Sequence, residues 1–312
     1  MQQAEKLNKV IENMEKIIVG KRDVIEQALI TMLSGGHLLL EDVPGVGKTT
    51  LGKALAQSIA CSFSRITFTP DTLPGDVTGM TVYRMHTGEF EYMPGAVMHD
   101  LLLADEINRT SPKTQASLLE AMEEGQVTVD GKTYPLSPIF MVIATQNPIE
   151  QLGTFELPEA QLDRFLMKVS MGYPNKKEEE SDMVHRMVTG QEVKKLQPVM
   201  TSEEMAKIKE EAAQVTVHTD VLNYAVEIAR ATRENEDILL GASPRAAIAL
   251  VKAARSRAYL KGRNYVVPED IAKMVQPVLL HRLILSSKAE LEGHKKEDIL
   301  ASLVHQIKVP VL

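Results

Sequence analysis

Apolar positions follow two different rules along this chain. Up to about residue 174 they alternate between helical spacing and short unbroken runs, and beyond it helical spacing alone recurs. Leu7, Val10, Ile11, Met14, Ile17 and Ile18, set among Lys and Glu, predict an amphipathic helix from Met1 to about Val19, ended by Gly20. Val24, Ile25, Ala28, Leu29 and Met32 predict a second, from about Asp23 to Ser34, and Gly35-Gly36 releases the chain into the apolar run Leu38-Leu39-Leu40. Ile139–Ala144 has the continuous hydrophobicity of a strand buried on both faces of a parallel sheet, and Phe63–Thr69, Leu101–Ala104 and Leu166–Val169 read as further strands. Met80–Met85 and Glu89–Met93 flank the turn His86-Thr87-Gly88, and Gln126–Val129 and Lys132–Tyr134 flank Asp130-Gly131, so two hairpins are expected to project. Between them Ser111-Pro112 opens a helix that runs to Gly125.

At Gly172-Tyr173-Pro174-Asn175 the strand pattern stops, which predicts an α/β domain over 1–174 and an all-α domain over 175–312. The second part begins with a charged helical stretch at Lys176–Glu180, continues through a capping box at Thr201 and Glu204, and gives no strand pair. Ser243 as N-cap and Pro244 at the first helical position put Arg245 in a first turn. A cation at the positive end of a helix costs about 0.3 to 1 kcal/mol, and function is one reason to accept that cost.

Composition narrows the class. The 312 residues are 44% hydrophobic, enough for real cores, and 35 Lys+Arg against 42 Asp+Glu give a net charge of −7. That balance argues against a nucleic-acid coat or a polybasic membrane binder. Cys61 is alone, no apolar run reaches the length of a membrane span, and no leader pattern opens the chain. A soluble cytoplasmic protein that does not enter the membrane is expected. Cys61, His185, His218 and His305 show no metal-ligand spacing.

The strand Leu38–Leu40 leads into Glu41-Asp42-Val43-Pro44-Gly45-Val46-Gly47-Lys48-Thr49-Thr50. Such a loop turns backbone N–H groups around an anion at a helix N-terminus, Lys48 reaches the outer phosphates, and Thr49 ligates magnesium. The pattern G-x-x-x-x-G-K-[ST] lacks its first glycine, which falls on Asp42; that carboxylate is expected to turn away from the phosphates and bond to backbone within the turn. The run Leu101–Ala104 ends in Asp105-Glu106 at the carboxyl edge where open α/β sheets bind ligands. In a phosphate-loop ATPase the first acid holds the magnesium shell and the second orients or deprotonates the attacking water. Asn147, after Ile139–Ala144, reads either as a group holding the γ-phosphate or water, or as a turn residue before Pro148, and Arg164 by itself reads as a surface ion-pair partner.

With Asp42–Thr49, Leu103-Ala104-Asp105-Glu106-Ile107-Asn108-Arg109, Ala144-Thr145-Gln146-Asn147-Pro148, Gln161-Leu162-Asp163-Arg164-Phe165 and Ala242-Ser243-Pro244-Arg245-Ala246 in this order, the chain resembles the AAA+ ATPases, and among them the MoxR family, from about Ile18 to Leu285. The acid at Asp42 is similar to what MoxR-like proteins carry. The resemblance implies a phosphate-loop core with a parallel sheet flanked by helices and a helical lid. It implies ATP held by Pro44, Gly45, Val46, Gly47, Lys48, Thr49 and Thr50, magnesium by Thr49 and Asp105, and water activation by Glu106. It further implies Asn147 as first sensor, Arg164 as the finger supplied to a neighbouring subunit, Arg245 as second sensor in cis or across an interface, and Val19-Gly20 at the adenine. The hairpins resemble the helix-2 insert and the pre-sensor hairpin of pore-facing machines. A hexameric ring, a von Willebrand A domain partner and chaperone-like action on protein clients are what the family implies. Two rivals stand beside it: a nucleic-acid motor, disfavoured by one lysine, Lys132, in the second hairpin and the negative net charge, and a nucleotide-dependent switch that hydrolyses slowly.

Overall fold

The computed structural model describes residues 2–43, 45–147, 155, 157–173, 181 and 196–311. Pro44, the expected charged helix at 176–180 and the expected boundary at 174–175 lie outside the described residues.

Helices α1 (Gln2–Glu15) and α2 (Arg22–Leu33) precede β1 (Leu38–Glu41), and α3 (Lys48–Ser58) follows it. Then come β2 (Phe63–Thr67), a short α4 (Pro74–Thr78), the hairpin β3 (Gly79–Arg84) and β4 (Glu89–Pro94), and β5 (Leu101–Asp105). Helix α5 (Pro112–Glu124), the hairpin β6 (Gln126–Val129) and β7 (Lys132–Pro135), β8 (Met141–Gln146), α6 (Glu159–Leu162) and β9 (Met167–Val169) complete this part. Strands β2, β5, β8, β1 and β9 lie side by side in that order as one parallel sheet. Helix α4 sits where only a Pro/Gly/Asp-rich passage was expected.

The unbroken apolar runs have a direct physical cause. Leu38 and Leu40 of β1, Leu101 and Leu103 of β5, and Met141 and Ile143 of β8 enter one buried cluster. The residues between them, Leu39, Leu102, Ala104, Val142 and Ala144, enter a second on the opposite face with Leu118, Leu119 and Phe165. Successive strand side chains point to opposite faces, so both registers must be apolar. Each buried leucine contributes about 1.5 to 3 kcal/mol.

The lid is helical, with helices Ser202–Ala213, Thr219–Glu234, Pro244–Leu260, Pro268–Leu279 and Lys296–Gln306. It shares the sheet's first cluster: Leu250, Ala253, Ile271 and Val275 are buried in one continuous group with Leu29, Met32, Leu38 and Leu40. One correction applies. Strands β10 (Ile238–Leu240) and β11 (Ile284–Leu285) pair antiparallel in the part expected to be all-helical. Runs of three and two residues carry no period to read, and the pairing joins positions 44 to 47 apart in the chain. Among the described residues no helix is long and apolar enough to cross a membrane.

Two buried polar residues lock these layers. His37, ahead of β1, accepts the Val142 N–H at Nδ1 (3.0 Å) and donates from Nε2 to the Met122 carbonyl (3.1 Å), tying β8 to α5. Arg282 reaches from the lid to Asp163 Oδ1 (2.6 Å) and to the carbonyls of Asp163 (3.1 Å), Phe165 (2.7 Å), Leu166 (3.2 Å) and Val278.

Both locks give measurable outcomes. Burial pushes the His37 imidazole down from 6.5 to about 4. The unfolded chain therefore binds a proton near pH 6.5 that the fold excludes, so stability is full above that pH and falls by about 3 kcal/mol as pH drops to 4. Urea denaturation at pH 7.5 and 5 should show the loss, and His37→Gln should flatten the slope; a slope unchanged by that substitution contradicts the assignment. Removing Arg282 strands a largely buried carboxylate and several carbonyls, so Arg282→Leu should lower the unfolding free energy by about 3 kcal/mol in the same assay.

Candidate active site

At the carboxyl end of β1 the chain turns through Gly45 (φ 88°) and Gly47 (φ 93°), left-handed conformations that a Cβ would strain. Gly47 N-caps α3, so the first N–H groups of that helix have no intrahelical partner and face an open loop. A Cβ at Gly45 would meet nothing within 4 Å, so this position of the loop faces open space. Lys48 Nζ donates to the Asp42 carbonyl at 2.8 Å, which holds the ammonium across the loop. Half-buried Thr49 and Thr50 occupy the first turn. Unpaired N–H groups, a helix dipole and an ammonium together fit a polyphosphate.

The Asp42 carboxylate is buried and does turn away, but not into its own turn. It accepts from Ser170 Oγ (2.7 Å), the Met171 N–H (2.5 Å) and the Gly172 N–H (3.1 Å), beyond β9. That segment walls a cleft of about 750 Å³ together with Gly20, Lys21, Gln276, Pro277 and Leu280. One residue thus fixes the phosphate loop against the wall of the adjoining cleft. Gly20 lines the cleft; Val19, half-buried, precedes it and does not.

The parallel register brings the acids beside the loop. Leu40 pairs with Thr145 and Glu41 with Gln146, while Ala104 pairs with Ala144, so Asn147 follows the strand beside β1, and Asp105 and Glu106 lie at the same edge one strand further on. Buried Thr145 donates to Asp105 Oδ1 (2.6 Å) and accepts the Glu106 N–H (2.9 Å). Glu106 is held at φ 56°, ψ 50°, a left-handed conformation uncommon outside glycine, and its carboxylate meets Arg109 at 2.9 Å. Arg65 Nη2 donates to Asp105 Oδ2 at 2.6 Å. Asn147 is buried. Among the described residues no group of three or more His, Cys, Asp or Glu could hold a metal alone. Thr49 and Asp105 offer the one or two oxygens with which magnesium is held alongside substrate phosphates.

Arg164 and Arg245 stand apart from this centre and together. Arg164 Nε lies 3.2 Å from Glu123 Oε2, and Arg245 Nη2 binds Glu123 Oε1. These three line a cleft with Gly35, Gly36 and His37, at the amino end of β1. The four strand residues between span about 13 Å, so the arginines face the end of the sheet opposite the phosphate loop. Asp163 joins them from behind, accepting from Ser243 Oγ (3.1 Å), the N-cap of Arg245's helix, and from Arg282. Glu123 is held below the usual carboxylate range, chiefly by its hydrogen bond from Arg245.

Sequence reasoning missed Glu123, Thr145, Asp163 and Arg282. One signal was present for Glu123: a carboxylate in the last turn of a helix opposes the dipole, as Arg245 does in a first turn.

Known proteins are similar to this chain over nearly its whole length. A family model for the ATPase family associated with various cellular activities (AAA) matches residues 37–167, and one for the AAA lid domain matches residues 230–303. YeaC of Bacillus subtilis is 49% identical over 305 residues, 98% of this chain and 95% of that protein. Chaperone MoxR1 of Mycobacterium tuberculosis is 40% identical over 314 residues, 97% of this chain and 82% of that protein. The crystal structure of a Cytophaga hutchinsonii protein assigned as an ATPase superposes with a TM-score of 0.92 at 39% identity, covering 99% of this chain and 96% of that one. A phosphate loop beside paired acids on a parallel sheet, a helical lid and full-length similarity to a MoxR protein lead to one conclusion: this chain belongs to the MoxR family of AAA ATPases.

Proposed function

We propose that the chain hydrolyses ATP as one subunit of a ring, hexameric as in its family's resemblance, and spends that free energy on chaperone-like remodelling or maturation of protein clients. The observation that carries the reading is the split site. A phosphate loop with two acids lies at the carboxyl ends of the strands, and two arginines lie at the other end of β1. Among the described residues, the guanidinium groups at the phosphate end of such a subunit, Arg65 and Arg109, are engaged by Asp105 and Glu106, and a neighbour's outward face supplies further cations to stabilise a transferring phosphoryl group.

In this reading Lys48 and the loop from Pro44 to Thr50 hold the phosphates, and Val19-Gly20 with the cleft at Met171 receives the base. Thr49 and Asp105 hold magnesium, which would neutralise charge on the phosphate oxygens. Glu106 takes the proton of the attacking water, and Asn147 contacts the γ-phosphate or that water. Arg164 enters the neighbouring subunit's site as the finger, and Arg245, beside it, acts across the same interface rather than in cis. The nucleotide-binding domain extends to about residue 174 and the lid follows. The chaperone part rests on the name of the Mycobacterium tuberculosis relative. A von Willebrand A domain partner and a cytoplasmic setting belong to the same reading, and nucleic acid and membrane are not its targets.

The test measures ATP hydrolysis against protein concentration for the native chain, Glu106→Gln and Arg164→Ala. Specific activity should rise with concentration. Either variant alone should lose about 10³-fold or more, and mixing the two should restore activity because mixed interfaces pair an intact acid with an intact finger. Flat specific activity with no rescue on mixing would leave the slow-hydrolysing switch as the better description.

A further inference from the structure

Glu123 and Arg245 are each in an unfavourable place on their own helix. Glu123 is the penultimate residue of α5, at its negative end, and Arg245 is in the first turn of Pro244–Leu260, at its positive end. Each placement costs stability locally. The two ends meet, and the carboxylate is shared: one oxygen takes Arg245 and the other takes Arg164 at 3.2 Å. Both oxygens are therefore engaged by the two groups that the proposed function sends to a neighbour's nucleotide. A phosphate oxygen binds guanidinium in the same way a carboxylate oxygen does. Lys252 lines the same cleft, and Arg245 is 54% exposed, so an incoming anion can reach it.

We infer that Glu123 is an internal competitor for Arg164 and Arg245: its carboxylate keeps the two guanidinium groups on the subunit's own surface, and a polyphosphate takes them by displacing it. The inference rests on the reading that these arginines serve a neighbour's nucleotide. Displacement has a structural consequence, because Arg245 belongs to the lid and Glu123 to α5. An anion that takes Arg245 also removes the lid's ion pair to that helix. The competition is weak by design, since two part-exposed ion pairs correspond to about a two- to thirtyfold change in a competing affinity.

Titration of inorganic tripolyphosphate by calorimetry, at 0.1 M salt, tests this on the full chain. Lys48→Ala removes the phosphate-loop lysine from every protein compared, so that binding dependent on the arginines is isolated by further substituting Arg164→Ala and Arg245→Ala. Adding Glu123→Gln should tighten the arginine-dependent binding about two- to thirtyfold, while Glu124→Gln, one residue on, should leave it unchanged. Equal or weaker binding with Glu123→Gln, or binding indifferent to both arginines, overturns the proposal. A second measurement separates it from the ring reading. In the otherwise native chain Glu123→Gln should lower the protein concentration for half-maximal ATPase. Tighter tripolyphosphate binding without any concentration dependence would keep the competitor and remove the ring.

Discussion

A buried guanidinium decides how the two halves of this molecule meet. Arg282 is 4% exposed in its side chain, and burial lowers its pKa while Asp163 opposes the shift. Such a cation is tolerable only where acceptors surround it, and here the Asp163 carboxylate and the carbonyls of Asp163, Phe165, Leu166 and Val278 do so. Those carbonyls belong to the segment entering β9 and to the end of a lid helix. The fixed-length fork of one side chain therefore sets the distance between sheet and lid. Asp163 also takes the N-cap Ser243, so the helix bearing Arg245 is fixed to the residue that precedes Arg164. The pairing of the two arginines follows from that junction.

From it also follows the division of charge between the two ends of the sheet. Lys48 is held by a backbone carbonyl, Asp105 by Arg65, Glu106 by Arg109, and the two outer arginines by Glu123. Pairs as exposed as the last three are worth about 1 kcal/mol or less each, which holds a side chain in place and still yields to a polyphosphate or a metal ion. The buried Asp163–Arg282 contact lies outside that range and stays as the frame. In the proposed function, weak pairs sit where charges exchange partners, and the strong one sits where they do not.

What could be read in the sequence was what is contiguous there. The phosphate loop, the acid pair after β5, the Ser111 and Ser243 caps and both hairpins depend on neighbours within a few residues, and each was legible. Asp42 was legible as a departure but not in its partners, because Ser170–Gly172 lie 128 to 130 positions on. Likewise nothing local says that Glu123, Arg164 and Arg245 share a point in space. Arg282 looks from the sequence like any basic residue near a helix end, and its burial exists only once the lid has packed. The chain marked Glu123 and Arg245 by placing each against its helix dipole, a mismatch visible locally whose explanation is tertiary.

The strain at Glu106 links the ends of β8 and β5 at which sensing and water activation are proposed. A left-handed backbone at a glutamate costs about 1 to 2 kcal/mol, so something must hold it. Its N–H is taken by Thr145 Oγ1, and the same hydroxyl donates to Asp105, so a single buried side chain orders both acids. Thr145 is on β8, whose centre is fixed to β1 and β5 on either side, and Asn147 is two residues further along. A shift at Asn147 cannot pass into β8 without moving Thr145, and moving Thr145 loosens the conformation of Glu106. The residue proposed to feel the γ-phosphate and the residue proposed to activate water are thus joined by two residues of one rigid strand and two hydrogen bonds. The geometry of the acid is therefore conditional on the strand that leads to the proposed sensor.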